Sequence, residues 1–141
     1  MTGRRVCPTL AAMRLLLTAA AACAALAVPA QAAPPAPSTG PFVGSVAQGE
    51  TDTFTYDNNP ANQPCLALAA DYIVTLHGVP ASDTLTLNVA TRAVSTTGGT
   101  ASVTITQGVC ARFSIGVTGT SVAGTAHYAV TVTRSLLPPL S

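Results

Sequence analysis

Few residues in this chain carry chemistry. Gly119-Thr120-Ser121-Val122-Ala123 departs by one residue from the G-x-S-x-G turn that presents a nucleophilic serine. Such a serine needs a strand leading in, a sharp turn, a helix leading out, and a histidine and an acid within reach. Here the segment after Ser121 alternates like a strand, and Ala123 stands where the second glycine belongs. Gly119 and Gly124 suit the ends of a loop between paired strands, so Ser121 is expected at a hairpin tip. No residue is assigned as catalytic, and a small secreted hydrolase built on Ser121 is the enzyme alternative.

His77 and His127 are lone imidazoles with no second ligand two or four positions away, and they read as surface or edge residues. Glu50 and Asp52 share one side of an extended segment, while Asp71 and Asp83 each begin an apolar run. Calcium takes six to eight oxygens, and no D-x-D-x-D run gathers them here. These acids are expected to cap turns through the backbone, with no cofactor. A weak calcium site on Glu50, Asp52, Asp71 and Asp83 is the metal alternative.

The elements that must position these residues are short and β-like. Phe54 and Tyr56 alternate with Thr53 and Thr55; Leu85, Leu87 and Val89 alternate with Thr86 and Asn88; Phe113, Ile115 and Val117 form an inward row that the returning strand continues with Tyr128, Val130 and Val132. The run from Asp71 to Val79 is apolar on both sides, as a central strand would be. Turns are expected at Gln48-Gly49-Glu50 and at Pro80 to Asp83, and Thr91 to Thr100, ending in Gly98-Gly99, reads as a loop or a weak edge. Cys65 to Ala70 suits either a strand or a helical turn. The spacing predicts an all-β fold, an antiparallel two-sheet β-sandwich of seven to eight short strands, with threonines covering its outside.

Composition bounds the setting. Arg4, Arg5 and Arg14, an apolar run from Leu15 to Val28, and Ala30-Gln31-Ala32 form the three zones of a secretory signal peptide spanning 1–32. That run is shorter than the ~20 residues of a membrane span. A lipid anchor at Cys23 lacks the usual leucine three residues before it, and the twin arginine lacks the rest of its export motif. A Pro-rich flexible leader follows at 33–41, the sandwich at 42–134, and a tail at 135–141. Beyond Ala32, three arginines face five carboxylates and there is no lysine, so nucleic acid has no electrostatic support as a partner. The bias to Ala, Thr and Val suits an exported bacterial protein.

Removing the signal leaves Cys65 and Cys110, expected to form one disulfide in an oxidising compartment. With no tryptophan, and with Tyr56, Tyr72 and Tyr128 all in inward rows, the usual aromatic platform for sugars is missing.

Gly44-Ser45-Val46-Ala47-Gln48-Gly49-Glu50-Thr51-Asp52-Thr53-Phe54-Thr55-Tyr56 resembles the opening of bacterial pre-peptidase C-terminal (PPC) domains. Ser82-Asp83-Thr84-Leu85-Thr86-Leu87 resembles their central Asp-led strand, and 113–132, with Tyr128, their closing hairpin. The resemblance covers about residues 43–133. It implies a jelly-roll-like sandwich that accompanies secreted enzymes and contacts a protein, polymer or cell surface, in some members with calcium. The chain differs in having one acid in the central strand where several members have two, an expected disulfide, and no catalytic domain of its own. The alternative is a small secreted ligand carrier or inhibitor comparable to neocarzinostatin-type sandwiches, whose cysteines close shorter loops.

Overall fold

A computed structural model describes residues 38–138. The expected signal peptide, Cys23, the first residues of the leader and the last three residues lie outside that range. Within it the chain is all-β, with six strands: β1 Phe42–Ala47, β2 Thr51–Asp57, β3 Ala69–Val89, β4 Arg92–Gly108, β5 Arg112–Ser121 and β6 Thr125–Leu136. Every pairing is antiparallel.

Two of the strands are long and bent, which accounts for six where seven to eight were expected. The first half of β3 pairs with β6 and the second half with β5, while β4 follows β3 along both halves. The six strands make one continuous hydrogen-bonded sheet, in the order β1-β6-β3-β5-β2 with β4 on β3, and the bent β3–β4 ribbon divides it into two four-stranded layers. Sheet I is β1, β6, the first half of β3 and the second half of β4. Sheet II is β2, β5, the second half of β3 and the first half of β4.

The bend is written in glycine and in parity. In β3 the buried row runs Ala70, Tyr72, Val74, Leu76, then switches through Val79 to Asp83, Leu85, Leu87 and Val89. The switch falls at Gly78, with φ 76°, and the ladder slips between Leu76 and Val79 and again before Thr84. Gly98 and Gly99, both at φ 71°, turn β4 at the same level. Such angles are open to glycine and strained for other residues. The turn expected at Pro80 to Asp83 lies within β3 instead, and of the two readings of Thr91 to Thr100 the edge strand holds, as the first half of β4. Pro80 is tolerated because the slipped register leaves it without a β4 partner. Cys65 to Leu68 is irregular, and strand begins at Ala69.

A second correction concerns the ends of the strands. The alternation over 113–132 predicts a hairpin, but β5 pairs with β2 and β3, whereas β6 pairs with β1 and β3. The link at 122–124 therefore arches from sheet II to sheet I, and Gln48 to Glu50 arches likewise from β1 to β2. Phe113, Ile115 and Val117 share the buried core with Tyr128 and Val130, and no ladder joins their strands. Strand pairing also reaches beyond the expected domain limits, since β6 continues through Leu136 and Ser38 exchanges backbone hydrogen bonds with Asp57 at 2.8 and 2.9 Å.

The core between the sheets is filled. Leu76, Leu85, Leu87 and Ile115 are fully buried, each contributing roughly 1.5–3 kcal/mol. Tyr56, Tyr72 and Phe113 pack as an aromatic trio at one end, with Tyr56 stacked on Phe113 at 4.8 Å. Phe42, Phe54 and Tyr128 fill the side between β1 and β2.

Candidate functional site

The residues that suggested chemistry are dispersed. Ser121 ends β5, exposed and opposite Thr84 in the ladder. Its neighbours hold the two arches together: Gln48 Nε2 donates to Thr120 O and Val122 N donates to Gln48 Oε1, each at 2.8 Å. Gly49 N donates to Gly119 O at 2.8 Å, and Gly119 N to Glu50 O at 2.9 Å. Neither histidine is there. His77 bonds Thr131 through Nε2 at 2.8 Å, and His127 lies exposed opposite Ser45, both on sheet I.

Nor do the four acids converge. Glu50 accepts from Ala47 N at 2.9 Å and closes the first arch. Asp71 accepts from Thr106 Oγ1 at 2.6 Å on the outer face of sheet I. Asp83, buried at the β3 bend, accepts from Ala123 N at 3.3 Å and so tethers the second arch. Asp52 accepts from Tyr128 Oη at 2.6 Å. Among the described residues, no three His, Cys, Asp or Glu side chains gather as a metal site. Asp52 is the acid whose role sequence reasoning missed. Its signal was parity, because it shares the inward row with Phe54 and Tyr56, and a buried tyrosine hydroxyl needs a partner.

The disulfide Cys65–Cys110 is formed, with 6.1 Å between Cα atoms and 45 residues spanned. It lies exposed at the end opposite the arches. Asn59 secures its loop, donating from Nδ2 to Gln63 O at 2.8 Å and Cys65 Sγ at 3.0 Å. Beneath it the Val109 carbonyl accepts from Asn58 Nδ2 at 2.8 Å, Tyr72 Oη at 3.0 Å and Arg134 Nη1 at 3.2 Å. Burial, reinforced by Tyr72, pushes the Tyr56 hydroxyl above its ordinary pKa. A groove of about 350 Å³ opens beside the disulfide, lined by Pro64, Cys65, Leu66, Leu68, Val109, Cys110, Arg134 and Leu136.

The outer face of sheet II is different in kind. Its rows are Thr51, Thr53 and Thr55 on β2; Ser114, Gly116, Thr118 and Thr120 on β5; Thr84, Thr86 and Asn88 on β3; and Ala93, Ser95 and Thr97 on β4. None is charged. Adjacent hydroxyls are bonded across strands: Thr51 to Thr118 at 2.8 Å, Thr84 to Thr97 at 2.8 Å, Thr86 to Ser95 at 2.7 Å and Thr86 to Thr120 at 2.6 Å. Those bonds fix rotamers, so the face is ordered before anything binds it. Strand geometry sets its mesh at about 4.8 Å across strands and about 6.8 Å along them. Sheet I, by contrast, presents Asp71, His77, His127 and the exposed Val43 and Ile73.

Comparison with protein-family models, with curated proteins and with solved structures finds no match. Among the described residues, no helix is long and apolar enough to cross a membrane.

Proposed function

We propose that this chain is a secreted, non-catalytic binding module of PPC-like type that docks an uncharged polymer or protein surface against the outer face of sheet II. The observation that carries this reading is the cross-bonded hydroxyl array running over all four strands of that sheet, its only charges the paired Arg112 and Asp57 at one end. A ligand meeting it would face preset hydroxyls and methyls, which lowers the ordering cost of binding. Its neutrality suits neutral glycans or polar protein surfaces better than nucleic acid or acidic lipid. The exposed disulfide and the signal-like first 32 residues support an extracellular setting.

The test is co-sedimentation with insoluble cellulose, chitin and purified bacterial cell wall. The wild type is expected to partition onto at least one, and Thr53→Glu with Thr118→Glu to lose that binding at least tenfold while retaining its unfolding midpoint. Equal binding by the folded double variant would sink the proposal, and no retention on any of the three would sink the polymer as ligand and leave the protein surface. The carrier reading draws on one observation, the disulfide groove, whose volume of about 350 Å³ falls in the range of small-molecule sites. An apolar fluorophore that binds the wild type and not Leu66→Asp would favour it.

A further inference from the structure

β4 is the outermost strand of both sheets. Along Arg92–Gly108 one side pairs with β3, and among the described residues no segment pairs with the other. A strand so placed presents a row of unfilled backbone N–H and C=O groups, a template for another strand. Proteins blunt such edges with lysine, proline, inward charge or a covering segment. From Ala93 to Gly108 this strand holds no charged residue and no proline. The opposite edge of the sandwich is guarded, since β1 and β2 lie toward each other there with Ser38 paired to Asp57 and Tyr128 bonded to Asp52.

The bend at Gly98-Gly99 divides β4 into two straight pieces. The second, from Ala101 to Gln107, alternates inward Val103 and Ile105 with outward Ser102, Thr104 and Thr106. We propose that this piece is a homodimer interface, pairing antiparallel with the same piece of a second copy and joining two four-stranded sheets into one of eight strands about a two-fold axis. A second copy is the occupant because the segment complements itself. Side chains on a strand alternate with period 2, so only registers that set hydroxyl row beside hydroxyl row keep Val103 and Ile105 on the core side. Of these, the register centred on Thr104 uses the straight piece without drawing in the bend glycines. It places Ser102 opposite Thr106, Val103 opposite Ile105, and Thr104 opposite its own copy. Hydroxyl pairs of this kind already join neighbouring strands here, as in Thr75 with Ser102 at 2.9 Å. β-Branched pairs are favourable opposite one another, and no like charges meet.

Sedimentation equilibrium of the oxidised chain over a range of concentrations tests this. The wild type is expected to rise from monomer to dimer mass. Thr104→Lys and Thr104→Glu, at an exposed position, are each expected to weaken association about tenfold or more by setting like charges across the axis. An equimolar mixture of the two is expected to recover the dimer. A wild type that stays monomeric at every concentration overturns the proposal, as does a Thr104→Lys protein that dimerises unchanged or a mixture that stays monomeric. Unfolding midpoints of both variants are read alongside to establish that they are folded. The hydroxyl face lies on the other sheet, so polymer binding by the Thr104 variants reports on that face separately.

Discussion

The Tyr128 hydroxyl donates to the Asp52 carboxylate at 2.6 Å, tying β6 of sheet I to β2 of sheet II. Gly44, opposite Tyr128 in the ladder, makes room for the bond, because a Cβ there would lie 2.5 Å from the hydroxyl and 2.6 Å from the carboxylate. Hydrogen bonds to charged groups contribute about 1.5–3 kcal/mol. Tyr128→Phe is therefore expected to lower stability by about that amount in urea unfolding. Gly44→Ala is expected to cost at least as much, because it must push the tyrosine and the acid apart. A Gly44→Ala protein as stable as wild type would contradict the geometry.

The same bond sets a dependence on alkaline pH. Burial first, then the hydrogen bond to Asp52 and its charge, raise the Tyr128 pKa far above the ordinary value near 10. The folded state then keeps a proton that the unfolded chain releases above about pH 10. The stability linked to Tyr128 is fully present below that pH and is lost as pH rises beyond it, at up to about 1.4 kcal/mol per pH unit. Tyr56 is shifted the same way by burial, so both contribute. Urea midpoints from pH 8 to 11.5 should fall in the wild type and fall less steeply in Tyr128→Phe. Identical slopes would show that Tyr128 titrates alike in both states.

Much of this architecture was legible in the sequence, and the parts that were not share a cause. β2 could be read residue for residue, because Phe54 and Tyr56 mark the inward row against threonines. The first half of β4 stays open between loop and weak edge, since an edge strand needs little inward apolar area and Val94 is its main inward side chain. The bends escaped because Gly78 and Gly98-Gly99 look like chain breaks locally. That they only redirect paired strands depends on long-range partners. Strand pairing is equally non-local: alternation tells which way Phe113 and Tyr128 face, and not whether their strands are neighbours or opposed across the core. The disulfide needed only a count, while the hydroxyl array required knowing which four strands form one sheet.

Closing 45 residues, the Cys65–Cys110 link should stabilise by about 4 kcal/mol in the chain-entropy model, a large share of the ~5–15 kcal/mol typical of a domain. Both cysteines are exposed, so dithiothreitol should reach the bond without denaturant. The oxidised protein, denatured without reductant, is expected to show no free thiol by titration. The Cys65→Ser, Cys110→Ser double variant should unfold at markedly lower urea and be cleaved by protease first between Asn58 and Leu68, where few backbone hydrogen bonds hold the loop. Unchanged midpoints would mean that the loop is held by Asn58 and Asn59 alone.

The near-motif around Ser121 makes opposite predictions for its glycine and its serine. A Cβ on Gly119 would run into the carbonyl oxygen of Ala47, a backbone atom fixed by the first arch. The neighbouring Gly119–Glu50 and Gly49–Gly119 backbone bonds leave that arch little freedom to withdraw. Gly119→Ala is thus expected to destabilise by several kcal/mol, of the order seen when close packing is overfilled. Ser121 is exposed at the strand end, and Ser121→Ala should change stability by no more than about 0.5 kcal/mol. Urea unfolding of the two variants side by side measures both. A large loss on Ser121→Ala with none on Gly119→Ala would overturn the assignment of this segment to holding the arches, since only the glycine lies where they cross.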